Sequence, residues 1–78
     1  MTSIATFYSH FGAIRFKRSC DREGISARIM PVPRDLSSSC GTCVQFEGIW
    51  PHEPPQEVEQ IVICADHGYQ LLYRAENA

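Results

Sequence analysis

Seventy-eight residues bound the chain at one small α+β domain, residues 1–78, whose core buries only about 60–65% of the surface its unfolded form exposes. A composition of 44% hydrophobic and 21% charged residues is that of a folded domain and excludes a disordered tail. Seven basic against nine acidic residues, a net charge of −2, exclude the basic face that non-specific nucleic-acid binding needs.

The opening MTSIATFYSH has neither a basic n-region nor a long apolar stretch, so no secretory signal is expected. Its SIATFY portion is rich in β-branched and aromatic residues and predicts a buried first strand, about Ser3 to Tyr8. Ser9 is a good N-cap. A helix follows from about His10 to Arg22, with Phe11, Ala13, Ile14, Phe16 and Cys20 on one broad apolar side and Arg15, Lys17, Arg18 and Asp21 mostly elsewhere. Gly24 is placed to stop it in the left-handed conformation, with Ile25 packing just after.

SARIMPV predicts a second strand, demoted to an edge by Pro31 and Pro33, which cannot donate to a ladder. After the loop PRDLSSSCG comes CVQFEGI. It alternates, with Val44, Phe46 and Ile49 on one face and Gln45 and Glu47 on the other, as a half-buried third strand does. WPHEPP breaks it. The next stretch predicts a second helix to about Asp66, with Val58, Ile61, Val62 and Ala65 inward, Glu57 and Glu59 at its positive end, and an end near Gly68. YQLLYR makes a short last strand. The longest apolar run, IVICA, is far short of the roughly 20 residues that span a membrane, so no membrane contact is expected.

The order β-α-β-β-α-β predicts a ferredoxin-like sandwich, a four-stranded antiparallel sheet with two helices on one face. That topology would gather the serine loop, Ser9 and His10, Cys64 and His67 at one end.

Within the loop, Cys40 stands among Ser37, Ser38, Ser39 and Gly41, with Arg34 six residues earlier. Hydroxyls, free amides and a guanidinium favour a thiolate, and a thiolate is the nucleophile. Gly41 permits positive φ or close backbone approach. The alternative is a loop cysteine that only fills a gap. Cys43 completes C-x-x-C, but a strand rather than a helix follows, which argues against a thioredoxin-type site. It reads as the start of strand 3, or as a resolving thiol if it lies near Cys40. Cys40, Cys43, Cys64 and His67 also make a Cys₃His zinc set on paper, although Cys64 sits in an apolar run. Cys20 reads as core, Trp50 as the rim of the core, His10 as a base toward Cys40 or a solvated first-turn residue. His52 carries no catalytic pattern, and no cofactor motif is present.

These residues carry a resemblance. PVPRDLSSSCG, preceded by TFYSHFGAIRFKR and EGI and followed by VQF, resembles a small prokaryotic domain family labelled selenium/sulfur carrier-like. The likeness runs from about Ile4 to Tyr73, and its specific part is Pro31, Pro33, Arg34, Ser37, Ser38, Cys40 and Gly41. It implies that Cys40 carries sulfur or selenium as a persulfide or selenosulfide, received from a cysteine desulfurase-type donor and passed to an acceptor protein. It also implies a carrier or accessory role rather than an enzyme. In the family pattern the position of Cys43 holds a small apolar residue, often alanine, so Cys43 is a departure. Two further readings stay open: an interaction or regulatory module using WPHEPPQEVE and the open sheet face, and a zinc-stabilised module. The expected compartment is the cytoplasm, where thiols stay reduced, and a homo-oligomer is compatible with so small a core.

Overall fold

The computed structural model describes residues 1–76, along which run β1 (Thr2–Phe7), α1 (His10–Glu23), β2 (Ala27–Pro31), β3 (Thr42–Glu47), β4 (Val58–Ala65) and β5 (Gly68–Arg74). The strands form one sheet in the order β2-β3-β1-β4-β5, with every neighbouring pair antiparallel. β1 is its centre, and Ser3 to Phe7 are all buried. β2 lies at an edge, as expected from Pro31 at its end and Pro33 just beyond.

The caps of α1 are those its sequence prescribes. The Ser9 side chain accepts from the Gly12 amide, and Gly24 takes φ 73°, with its own amide and that of Ile25 returning to Asp21 and Cys20 carbonyls. A side chain at Gly24 would strain that left-handed turn. The apolar side is narrower than expected. Ala13, Phe16 and Cys20 are buried, Ile14 is half-buried, and Phe11 is 72% exposed.

The ferredoxin-like expectation is wrong. The chain has a five-stranded sheet and one described helix, because the predicted second helix is β4. Val58, Ile61, Val62 and Ala65 do recur at helical spacing, but in the sheet they divide. Ile61 lies in register with Ala5, and Val62 with Ile4, on opposite faces. A strand buried on both faces reads as an apolar run that period alone does not separate from a helix. The β-branched residues and the two-residue link Asp66–His67 favour the hairpin that forms, in which Ala65 pairs with Gly68. The third strand ends at Glu47, and Gly48 at φ 85° turns the chain so that Ile49 is 54% exposed.

The two faces carry separate apolar clusters. On the front, α1 and Trp50 cover Ala5, Phe7, Val44, Phe46, Val58 and Ile61. Phe16 sits in the middle, its ring 5.4 Å from Phe7, 5.4 Å from Phe46 and 4.7 Å from Trp50. On the back, Ile4, Cys43 and Val62 are buried under Met30, Val32, Leu36 and Tyr69. Val32 and Leu36 belong to the serine loop, so that loop is a strap laid over the back of the sheet. Among the described residues no helix is long and apolar enough to cross a membrane.

Candidate functional site

The strap, residues 32–41, closes on itself where the Val32 amide meets the Gly41 carbonyl at 3.1 Å. Its tip is a turn in which the Leu36 amide donates to the Pro33 carbonyl at 3.0 Å, leaving Arg34 and Asp35 on the exposed corner. Three alternate residues then fasten it to β4 and β5. Tyr69 donates its hydroxyl to Asp35 Oδ1 at 2.8 Å, and Gln60 Nε2 donates to the Ser37 carbonyl at 2.8 Å. Glu59 accepts the Ser39 amide at 3.1 Å and the Ser39 hydroxyl, while also taking the Thr6 hydroxyl at 3.2 Å. The hydrogen bond to Asp35, with burial behind it, pushes the Tyr69 hydroxyl up to about 12.

Cys40 lies where the strap returns to β3. It is half-buried against the front cluster, and its Sγ donates to the Thr42 carbonyl at 3.4 Å. The Thr42 hydroxyl meets His10 Nδ1 at 3.2 Å, which ties the first turn of α1 to the same spot. Gly41 adopts φ 75°, a conformation that lets the chain swing from strap to strand.

The donors named from the sequence are distributed differently from the expected cradle. Ser39 has both its donors on Glu59, and Ser37 contributes a carbonyl to Gln60. The Ser38 hydroxyl is buried without a partner among the described residues. Arg34 is exposed on its corner and forms no ion pair among the described residues. His10 reaches the site through Thr42. Glu59, expected at a helix start, belongs instead to this fastening, and Gln60, Thr42 and Tyr69 join it with no role expected from the sequence. The one available signal was a Glu-Gln pair interrupting an apolar strand, which the helical reading had assigned to a helix start.

The four cysteines separate cleanly. Cys20 and Cys43 are fully buried, and burial pushes each thiol up to about 11. Cys43 Sγ points at the Pro31 carbonyl, 3.7 Å away, inside the back cluster, whereas Cys40 packs on the front one. The C-x-x-C pair is thus split between the faces of the sheet. Cys64 is exposed near the end of β4, with its thiol raised by its partial burial and then by the Glu47 carboxylate. Because β4 runs antiparallel to β1, Cys64 and His67 lie beyond the Ser3–Ile63 pair, at the end of the sheet away from Cys40. The zinc set is therefore not assembled, and no three His, Cys, Asp or Glu side chains among the described residues are grouped to hold a metal ion.

With this geometry in view, the family described as "Putative Se/S carrier protein-like" matches residues 2–65, a span that contains the strap with Cys40, Cys43 and β4. The chain is also similar to "Uncharacterized protein YtiA" of Escherichia coli (strain K12), at 37% identity over 57 residues, which is 73% of this chain and 61% of that protein. It therefore spans less than two thirds of that relative's length. No solved structure matches it.

Proposed function

We propose that this chain, which belongs to the "Putative Se/S carrier protein-like" family, accepts a sulfur or selenium atom on Cys40 and hands it to an acceptor protein. The observation that carries the reading is the contrast among the thiols. Cys40 is the one that is both reachable and held in a fastened loop, between the strap and the start of β3. Cys20 and Cys43 are shut away, and Cys64 stands on an open hairpin with no comparable surroundings.

The donor would be a persulfide on a cysteine desulfurase-type enzyme. Cys40 Sγ, losing its proton to solvent, attacks the outer sulfur of that persulfide. The new bond forms on Cys40 as the donor's sulfur–sulfur bond breaks, and the donor leaves as a thiolate that takes up a proton. The exchange needs no added oxidant or reductant. Discharge to the acceptor repeats it in reverse sense. His10 is anchored to the Thr42 hydroxyl, on the residue whose carbonyl accepts from Cys40. A reducing cytoplasm suits such chemistry because it keeps the resting thiol free.

The test is intact-mass spectrometry after incubation with a desulfurase and cysteine. The expected result is a product heavier by one sulfur atom that reducing agent removes and that Cys40→Ser abolishes. An equal yield in Cys40→Ser would overturn the proposal.

A further inference from the structure

A second feature lies on the front face, away from the strap. The segment between β3 and β4 runs beside α1 and is tied to it at two points, by Arg15 to Glu57 at 3.3 Å and by His52 to Glu23 at 2.9 Å. Between these ties is a groove of about 340 Å³, lined by Arg15, Phe16, Arg18, Ser19 and Arg22 on the helix and by Pro55 and Glu57 opposite. Gly12 allows the close approach that shapes its upper wall, since a Cβ there would stand 2.7 Å from the Glu57 Cβ.

The charges around this groove do not cancel. Asp21 is held by Lys17 at 2.7 and 3.0 Å, Glu23 by His52, and Glu57 by Arg15. That accounts for each carboxylate of α1 and of the groove wall. Arg18 and Arg22 are left with no carboxylate partner among the described residues, and both line the same cavity. Arg22 Nη2 donates to Ser19 Oγ at 2.9 Å, which leaves that hydroxyl's own proton free to donate. Three of the chain's seven Lys and Arg residues thus line one groove of a protein whose net charge is −2.

We propose that this groove is an oxyanion site, seating phosphate or a phosphate-like tetrahedral dianion on Arg18 and Arg22 with the Ser19 hydroxyl as a third donor. Residues four apart on a helix are surface neighbours, so two guanidinium forks can meet one ligand. Such forks match the several oxygens of a tetrahedral dianion, whereas a carboxylate offers only two. The Glu57 carboxylate repels an anion from the Arg15 end and so directs it to the Arg18–Arg22 end. The inference is independent of the chemistry at Cys40.

The test is an NMR titration of the full chain with sodium phosphate, against sodium chloride at matched ionic strength. The expected result is saturable shifts at Ser19 and at the Arg18 and Arg22 side chains with phosphate alone. Replacing both arginines, Arg18→Gln with Arg22→Gln, is expected to weaken binding about tenfold or more. Arg28→Gln, on the edge strand β2, is expected to leave it unchanged. A parallel titration with a nucleoside monophosphate distinguishes free phosphate from an esterified one by which binds more tightly. Shifts that follow ionic strength alike in both salts would overturn the site, as would undiminished binding by the double variant.

Discussion

The front and back of the sheet are held by different physics. The front is an aromatic core, with Phe16 meeting Phe7, Phe46 and Trp50 under a helix capped at both ends. The back is a strap with two apolar anchors, Val32 and Leu36, and three polar fastenings to β4 and β5. Buried apolar area is non-directional and lost only when the fold opens, whereas half-exposed hydrogen bonds each contribute little and can be undone one at a time. The thiol assigned the carrier role sits at the join. The front cluster packs against it on one side, and the hydrogen-bonded strap leads into it on the other.

The largest effect belongs to the front. Phe16→Ala is expected to cost about 3–5 kcal/mol in urea unfolding, because it removes the ring that three others pack on. A loss below about 1 kcal/mol would break the contrast at its stronger side.

Next comes the main fastening. Glu59→Ala frees the Ser39 amide and hydroxyl and the Thr6 hydroxyl. The expected loss is about 1–2 kcal/mol of global stability, reduced by the partial exposure of the site. Faster amide exchange is expected to be confined to the strap. Exchange that accelerates equally in α1 would show that the two faces are not separate units.

Thiol labelling sharpens the comparison further. Cys43 lies in the back cluster beneath the strap residues Val32 and Leu36, and Cys20 on the buried side of α1. Glu59→Ala is expected to speed alkylation of Cys43 several-fold and leave Cys20 unchanged. Both thiols are raised in the folded state from an ordinary value of 9.0 to about 11. The folded state therefore favours their protonated forms, a contribution present below pH 9 and lost as pH rises through about 11. Alkaline unfolding of the wild type is expected to steepen across that window, and Cys20→Ala to flatten it.

The smallest effect is at Tyr69. Tyr69→Phe removes the bond to Asp35 and is expected to cost about 0.5–1 kcal/mol or less. In the wild type this hydroxyl is raised from 10.0 to about 12, so the fastening holds below pH 10 and loosens toward pH 12. Absorbance titration of the tyrosinate checks the direction.

How much of this was legible follows from where each signal sits. The helix and its caps were readable because Ser9, Gly24 and the apolar spacing act within a few residues of one another. The edge position of β2 was readable from Pro31 and the following Pro33. The hairpin β4–β5 was not, because Val58, Ile61 and Val62 satisfy a helical period while serving two faces of a sheet. With β4 a strand, Cys64 and His67 lie at the other end of the sheet from Cys40, so the zinc set that their spacing suggested is not assembled. The placement of Cys40 in a loop was legible because Pro31, Pro33 and the serine run break the strand pattern on either side of it. Its surroundings were not, since His10 comes to Thr42 and Glu59 to Ser39 only through the fold, and Ser37 and Ser39 fasten the strap to β4 instead of forming the expected cradle.

The central claim is that the strap presents Cys40, and no other thiol, to a chalcogen donor. Peptide mapping of the wild-type protein after exposure to a persulfidated desulfurase, with persulfides trapped by alkylation, tests it most directly. The account predicts the extra sulfur on the peptide containing Cys40, with Cys64 unmodified although it is more exposed. Sulfur found on Cys64 to an equal or greater extent would contradict it.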